Sequence, residues 1–490
     1  MRTVLLALLA IPMFAADPAP VTAATGGGVR GGILEKGGAV FKGIPFAQAP
    51  VGDLRWREPA AVKAWTGIRE ATSFGAPCAQ NAGGKMQEAS SEDCLFLNVW
   101  NSEWPVRFHK PVMVWFHGGG NYAGTASGNN FDGEKLARRG VVLVTANYRL
   151  TVFGFLAHPE LTKESAHHAS GNYGLMDQIA ALKWVRDNIV KFGGDPGNVT
   201  IFGQSAGAVD VNVLMTSPQA KGLFQKVIAE SGTVTRVPDD ATMRMTGLGA
   251  VMAARSGDTY SDALTLAEAE KTGAELVPGS LKQLRAMPAA ELLKTTAAPR
   301  KSIGPANGII VDGWVLPQPP AQVFAQKQQQ RVPLLIGNNS RERTPPQVTP
   351  EDLTAAMLAM YGPLAPRAST LYNAAAPPDP LYGATPAQWV VDAMYRCPVV
   401  AQALWHVAAR NTAYEYQFDR AAPGREAAGA THGAEVGYVF GALGANYAQA
   451  DRDLSDAMQQ YWTNFAKTGD PNGGGLPLWP KFDAAARGYI

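Results

Sequence analysis

The chain has 490 residues, 46% of them hydrophobic and 17% charged, with a formal net charge of +2. That is ample material for a buried core, and the length allows more than one domain. No basic stripe or Lys/Arg run accompanies the near-neutral charge, so nucleic-acid binding has no support.

Met1-Arg2-Thr3 carries one positive charge, Val4 to Phe14 is almost wholly apolar, and Ala15-Ala16-Asp17-Pro18 follows. This pattern reads as a secretory signal peptide, too short to anchor across a bilayer and cleaved near Ala16 or Ala24. Residues 1–24 are therefore expected to be leader, with the Pro/Ala/Thr stretch before Ala24 disordered. No Cys lies near the cleavage site, so lipid attachment is not indicated. Beyond the leader no run of about 18 apolar residues occurs, so the mature chain is expected off the membrane, in the periplasm or outside the cell. Cys78 and Cys94 suit export, and a disulfide between them would contribute about 3 kcal/mol. Cys397, before Pro398 in a helix-like segment, is expected to be a buried free thiol.

From Gly27 to Phe46, short β-like runs alternate with glycine turns, an antiparallel entry to a sheet. Ser91 to Trp100 is a strand entered from Cys94. Pro111 to Phe116 is a buried strand ending in His117-Gly118-Gly119-Gly120. Consecutive glycines after a strand let backbone N–H groups converge on one point, as an oxyanion hole requires. Val141 to Tyr148 is a further core strand, and Gly171 to Lys191 has helical periodicity through Leu175, Ile179, Leu182 and Val185.

Phe192-Gly-Gly-Asp-Pro-Gly197 then delivers the chain to Val199-Thr-Ile-Phe202, a buried strand that breaks at Gly203-Gln204-Ser205-Ala206-Gly207. This is a G-x-S-x-G elbow in the strand–turn–helix context it needs, with a helix expected from about Ala208. Residues 235–330 read as an Ala-rich helical excursion packed over the sheet. Val332 to Gly337 and Ala413 to Phe418 restore strands, and Leu454 to Lys467 is an amphipathic helix. Strands alternating with helices give an α/β chain with a large, mostly parallel sheet. No linker or repeat divides residues 25–490, which are read as one domain, a monomer or weak homo-oligomer.

A serine nucleophile needs a base, and the base needs an acid to orient it, in the chain order Ser, Asp/Glu, His for this elbow. Only His406 and His432 follow Ser205. His406 lies in an apolar helical stretch and reads as structural; His432, in a loop before Gly433, is the better base. Glu342, beyond the strand that ends at Gly337, is a candidate acid, although Arg341 and Arg343 on either side would equally suit a solvated charge. Asp312 competes, in what looks like a tight turn. No His/Cys/Asp cluster has metal-ligand spacing, so neither metal nor cofactor is expected.

At these residues the chain resembles the type-B carboxylesterases, the cholinesterase-like branch of the α/β-hydrolases. The likeness runs from about Gly27 to Lys481. It is carried by Gly43-Ile-Pro-Phe-Ala47, Pro50-Val-Gly-Asp-Leu-Arg55, Ser91-Glu-Asp-Cys-Leu-Phe-Leu-Asn-Val99, Asn147-Tyr-Arg-Leu150, Phe192-Gly-Gly-Asp-Pro196, Phe202-Gly-Gln-Ser-Ala-Gly207, His432-Gly-Ala-Glu435 and Phe465-Ala-Lys-Thr-Gly-Asp-Pro471. The resemblance implies an α/β-hydrolase fold with helical excursions over the site. It makes Ser205 the nucleophile, Glu342 the acid and His432 the base, with oxyanion donors at Gly119, Gly120 and Ala206. It also implies a Cys78–Cys94 disulfide, with Ser231 and Glu435 behind the reacting groups.

Some positions depart from the family pattern. Gln204 stands where many members have Glu, which argues against a cationic leaving group. Ser340-Arg-Glu-Arg343 replaces the usual Asp-Glu-Gly of the acid loop, leaving the pose of Glu342 open. Asn121 replaces an aromatic after the glycine run, which suggests a more polar pocket mouth. The last strand or helix before Ile490 is expected to be short. The implied activity is hydrolysis of small-molecule carboxylic esters through an acyl-enzyme, with short acyl esters the default. Aromatic-acid esters, polycarboxylate esters of a mycotoxin and synthetic polyesters are all compatible. Acyl transfer to an alcohol or sugar, and a catalytically silent binding protein of the same fold, are the rivals.

Overall fold

The β-branched and aromatic runs of the sequence assemble into one nine-stranded sheet. The computed structural model describes residues 19–82, 85–234, 263–296, 308–342 and 349–490. The expected signal peptide to residue 18, much of the 235–330 excursion and Arg343 lie outside those residues.

Across the sheet the strands run Ala413–Phe418, Leu334–Asn339, Lys226–Glu230, Gly194–Gln204, Lys110–Phe116, Val142–Ala146, Phe96–Asn101, Ala39–Pro45 and Gly32–Ile33. The first six are mutually parallel. The remaining three pairings are antiparallel, and of these Gly32–Ile33 with Ala39–Pro45 falls within the entry expected from the N-terminal glycine turns.

The central strands are buried on both faces, so their side chains feed two cores in alternation. Val112, Val114 and Phe116 point into one core with Leu175, Ile179 and Leu182 of the helix Tyr173–Asn188. Met113 and Trp115 point into the other, with Met458, Trp462 and Phe465 of the helix Gln449–Thr468. In the excursion, the helices Leu266–Leu276 and Leu281–Ala286 begin at capping boxes, Thr265 with Glu268 and Ser280 with Gln283.

The Pro/Ala/Thr stretch before Ala24 was expected to be disordered, and for its described residues, from Ala19 on, the structure corrects this. Val21–Ala24 is a strand, antiparallel to Gly27–Arg30 across a two-residue Thr25-Gly26 turn. Gly26 supplies φ 104° there. Thr25 N–H donates to Asn188 Oδ1 at 2.7 Å, pinning the hairpin to the helix Tyr173–Asn188. Cys78 and Cys94 are bonded. Cys397 is exposed, not buried, and opens the helix Cys397–Ala408. No strand or helix follows Thr468, but the last residue lies along the sheet's edge, where Ile490 C=O accepts from Gln417 N–H at 2.9 Å.

Candidate active site

The elbow is a steric consequence of its two glycines. A Cβ on Gly203 would lie 2.6 Å from Gly207 C, and one on Gly207 would lie 2.1 Å from Phe116 O. Between them Ser205 adopts φ 57°, ψ −122°, a conformation costly for a residue with a side chain. It is held there by its own N–H, which donates to Glu230 O at 2.8 Å. The helix Ala206–Leu214 begins at once, two residues earlier than expected, so Ala206 has the unpaired N–H of a first helical residue.

The glycine run leaves the adjacent strand Lys110–Phe116 at the same end of the sheet. Gly119 and Gly120 have φ 114° and 65°, and a Cβ on Gly119 would sit 1.9 Å from Ala123 O. Among the described residues neither their N–H groups nor that of Ala206 donates to another backbone carbonyl outside regular elements. His117 opens the run with its ring stacked on Tyr148 at 4.5 Å, and burial pushes its pKa down to about 4, so it is neutral.

His432 and Glu342 arrive from the ends of the next two strands outward from Lys226–Glu230. His432 Nε2 is 2.7 Å from Ser205 Oγ, and its Nδ1 is 2.7 Å from Glu342 Oε2. The other oxygen of Glu342 accepts Asn339 N–H at 2.7 Å, and His432 N–H donates to Glu342 O at 3.0 Å. Those bonds settle the pose left open by the unusual acid loop, and the Arg341 guanidinium beside it donates to Leu381 O at 2.7 Å, Ala427 O at 2.8 Å and Pro380 O at 2.6 Å. These bonds stitch the loop to its neighbours. Gln204 Nε2 is 3.3 Å from His432 Nε2, and the Tyr395 ring lies 5.5 Å from the imidazole.

Behind the imidazole sits a group of buried acids. Glu435 accepts from Asn339 Nδ2 at 2.5 Å and from Ser231 Oγ at 3.4 Å. Burial first, then the neighbouring Glu342, raise its pKa to about 7. Glu230 accepts Trp462 Nε1–H at 2.7 Å, and burial together with Glu435 holds its carboxyl well above the usual range. Glu230, Asn339 and Tyr395 were not singled out from sequence. Asn338-Asn339 closing an apolar strand was the available signal; the other two carry none without tertiary structure.

The competing candidates lie elsewhere. Asp312 Oδ1 accepts Trp314 N–H and Leu316 N–H, each within its own turn. His406 is buried, with Nε2 2.9 Å from Val332 O, and desolvation lowers its pKa to about 4. The polar mouth expected from Asn121 is corrected: at φ 59° it turns inward and is 5% exposed. Its Nδ2 donates to the buried Asp210 Oδ1 at 3.2 Å. Among the described residues no group of three or more metal-ligating side chains occurs, and no helix is long and apolar enough to cross a membrane.

The carboxylesterase family model matches residues 18–354 and 374–490. The chain is 35% identical to fumonisin B1 esterase of Sphingopyxis macrogoltabida, over 98% of this chain and 88% of that protein. It is 34% identical to the medium-chain fatty acyl-CoA hydrolase precursor of Anas platyrhynchos, over 98% and 90%. Among solved structures, a Geobacillus stearothermophilus carboxylesterase superposes with a TM-score of 0.79 at 33% identity, covering 95% of both chains. A PNB esterase does so at 0.76 and 33%, over 95% and 94%.

Proposed function

The chain belongs to the carboxylesterase family, and from that premise we propose that it hydrolyses carboxylic esters with Ser205 as nucleophile, His432 as base and Glu342 as acid. The observation that carries the reading is the unbroken relay from Ser205 Oγ through His432 to Glu342, with both links at 2.7 Å.

In this mechanism Ser205 Oγ gives its proton to His432 Nε2 as it bonds to the ester carbonyl carbon. The carbonyl electron pair moves onto oxygen, which the N–H groups of Gly119, Gly120 and Ala206 receive; loss of one such donor typically costs about 2.7–4 kcal/mol in the barrier. Glu342 accepts Nδ1–H, fixing the tautomer and stabilising the imidazolium. Collapse breaks the bond to the alcohol oxygen, and the alcohol departs with the proton from His432 Nε2. Water then attacks the acyl carbon, His432 takes its proton, and the bond to Ser205 Oγ breaks as that proton returns to the serine.

The proposed substrates are small-molecule esters with short acyl groups. Gln204, uncharged beside the nucleophile, supports neutral leaving groups. The likeness to a fumonisin B1 esterase adds that ester to those worth assaying. Arg341 lends no support to recognition of an anionic substrate, because its donors are taken by loop carbonyls. Export through the N-terminal leader is also proposed. It is supported by the apolar run Val4 to Phe14 and by the disulfide, with cleavage near Ala16 so that the hairpin from Val21 stays intact.

The test is mass spectrometry after treatment with a fluorophosphonate. One adduct, located on Ser205, is expected; an unmodified Ser205 in protein that turns over esters would overturn the assignment. Product analysis with a competing alcohol separates hydrolysis from acyl transfer.

A further inference from the structure

The oxyanion hole has two halves on different elements, the loop at Gly119–Gly120 and the helix that begins at Ala206. The loop half is glycine at φ 114° and 65°, a backbone with wide conformational freedom of its own. A side-chain hydrogen bond spans the gap.

Asp210 lies four residues after Ala206, so the two share a face of the helix one turn apart. Its neighbours Ala208, Val209 and Val211 are apolar, and it is fully buried. A carboxyl there is destabilising unless hydrogen-bonded, and burial drives its pKa up to about 7. Both oxygens are met by amides. Oδ2 accepts Gln178 Nε2–H at 2.7 Å from the helix Tyr173–Asn188. Oδ1 accepts Asn121 Nδ2–H at 3.2 Å, and Asn121 directly follows Gly120. On its other side, Asn121 Oδ1 lies 3.1 Å from the hydroxyl of Tyr148. That hydroxyl is also 2.7 Å from His117 O at the start of the same loop.

We propose that Asp210 is a positioning residue that, through Asn121, sets the spacing between the two halves of the oxyanion hole. The proposal rests on the esterase reading above. Because the oxyanion forms only in the transition state, a loosened hole lowers kcat and leaves KM nearly unchanged.

Asn121→Gly is the cleanest probe, since glycine tolerates the positive φ while losing the amide. With p-nitrophenyl acetate, Asn121→Gly and Asp210→Ala should each lose about 10- to 100-fold in kcat, the scale of a misplaced catalytic group. Asp210→Asn should retain most activity, because its amide oxygen still accepts from Asn121. The Asn121→Gly/Asp210→Ala double variant should be no worse than the poorer single, as members of one linkage are non-additive. Full kcat in Asn121→Gly, a change confined to KM, or additive losses in the double would overturn the proposal. If Asp210→Ala does not fold, Asn121→Gly and Asp210→Asn decide. Ser205→Ala run alongside keeps the two claims apart. Wild-type turnover there removes the esterase reading, whereas Ser205-dependent turnover at full kcat in Asn121→Gly removes only the clamp.

Discussion

Ser205, at φ 57°, is a strained residue kept in place by its surroundings. In the proposed mechanism its activation depends on one imidazole, whose tautomer depends on one carboxylate oxygen, Glu342 Oε2. Glu342→Gln keeps the shape of the acid but no longer stabilises an Nδ1–H imidazolium. It should lower kcat by roughly 10⁴-fold without unfolding the protein, as loss of the orienting acid does in other serine triads. A loss below tenfold would contradict the assigned role. Glu435 provides a second test, read in stability. Its folded pKa of about 7 exceeds its ordinary 4.5, so the folded state holds the proton more tightly. The stability linked to that proton is complete below pH 4.5 and is lost as pH rises through 7. Glu435→Gln should flatten the fall in urea midpoint across that window; parallel wild-type and variant curves would contradict the argument.

The groups proposed for catalysis are brought together by the parallel part of the sheet. Adjacent strands Lys110–Phe116, Gly194–Gln204 and Lys226–Glu230 end at one rim with the glycine run, Ser205 and Ser231, and the next two strands bring Glu342 and His432. The strands and the elbow were legible because each is an apolar run broken by glycine, a signal that period and composition carry locally. The acid loop was not, because it is tied down by contacts that only the folded chain makes: Asn339 N–H on Glu342 Oε1, and Arg341 reaching three carbonyls of distant loops. The direction of Asn121 was hidden for the same reason: its partner Asp210 lies on another element. Arg341→Lys tests the loop argument, since a single ammonium cannot reproduce the guanidinium fork. It should reduce kcat by about 10-fold or more by shifting Glu342, and an unchanged kcat would show that the loop holds itself.

At the scale of the whole molecule, the hairpin at Val21–Arg30 joins the N-terminal residues to the helix that runs beneath the sheet. The leader proposed above should therefore be removed before it, and, if the protein is exported, mass spectrometry should find an N-terminus close to Asp17. A start at Thr25 would contradict the hairpin's place in the fold. The Cys78–Cys94 bond closes a loop beside the first core, and Cys78→Ser with Cys94→Ser should lower unfolding stability by about 3 kcal/mol. A stability equal to wild type would mean that the loop is held without it. The claim on which all of this depends is that Ser205 performs the chemistry. The direct measurement is a p-nitrophenyl ester series, acetate through decanoate, for wild type and Ser205→Ala matched for thermal melting. The account predicts turnover greatest on the short esters and none in the variant, and near wild-type hydrolysis by Ser205→Ala would contradict it.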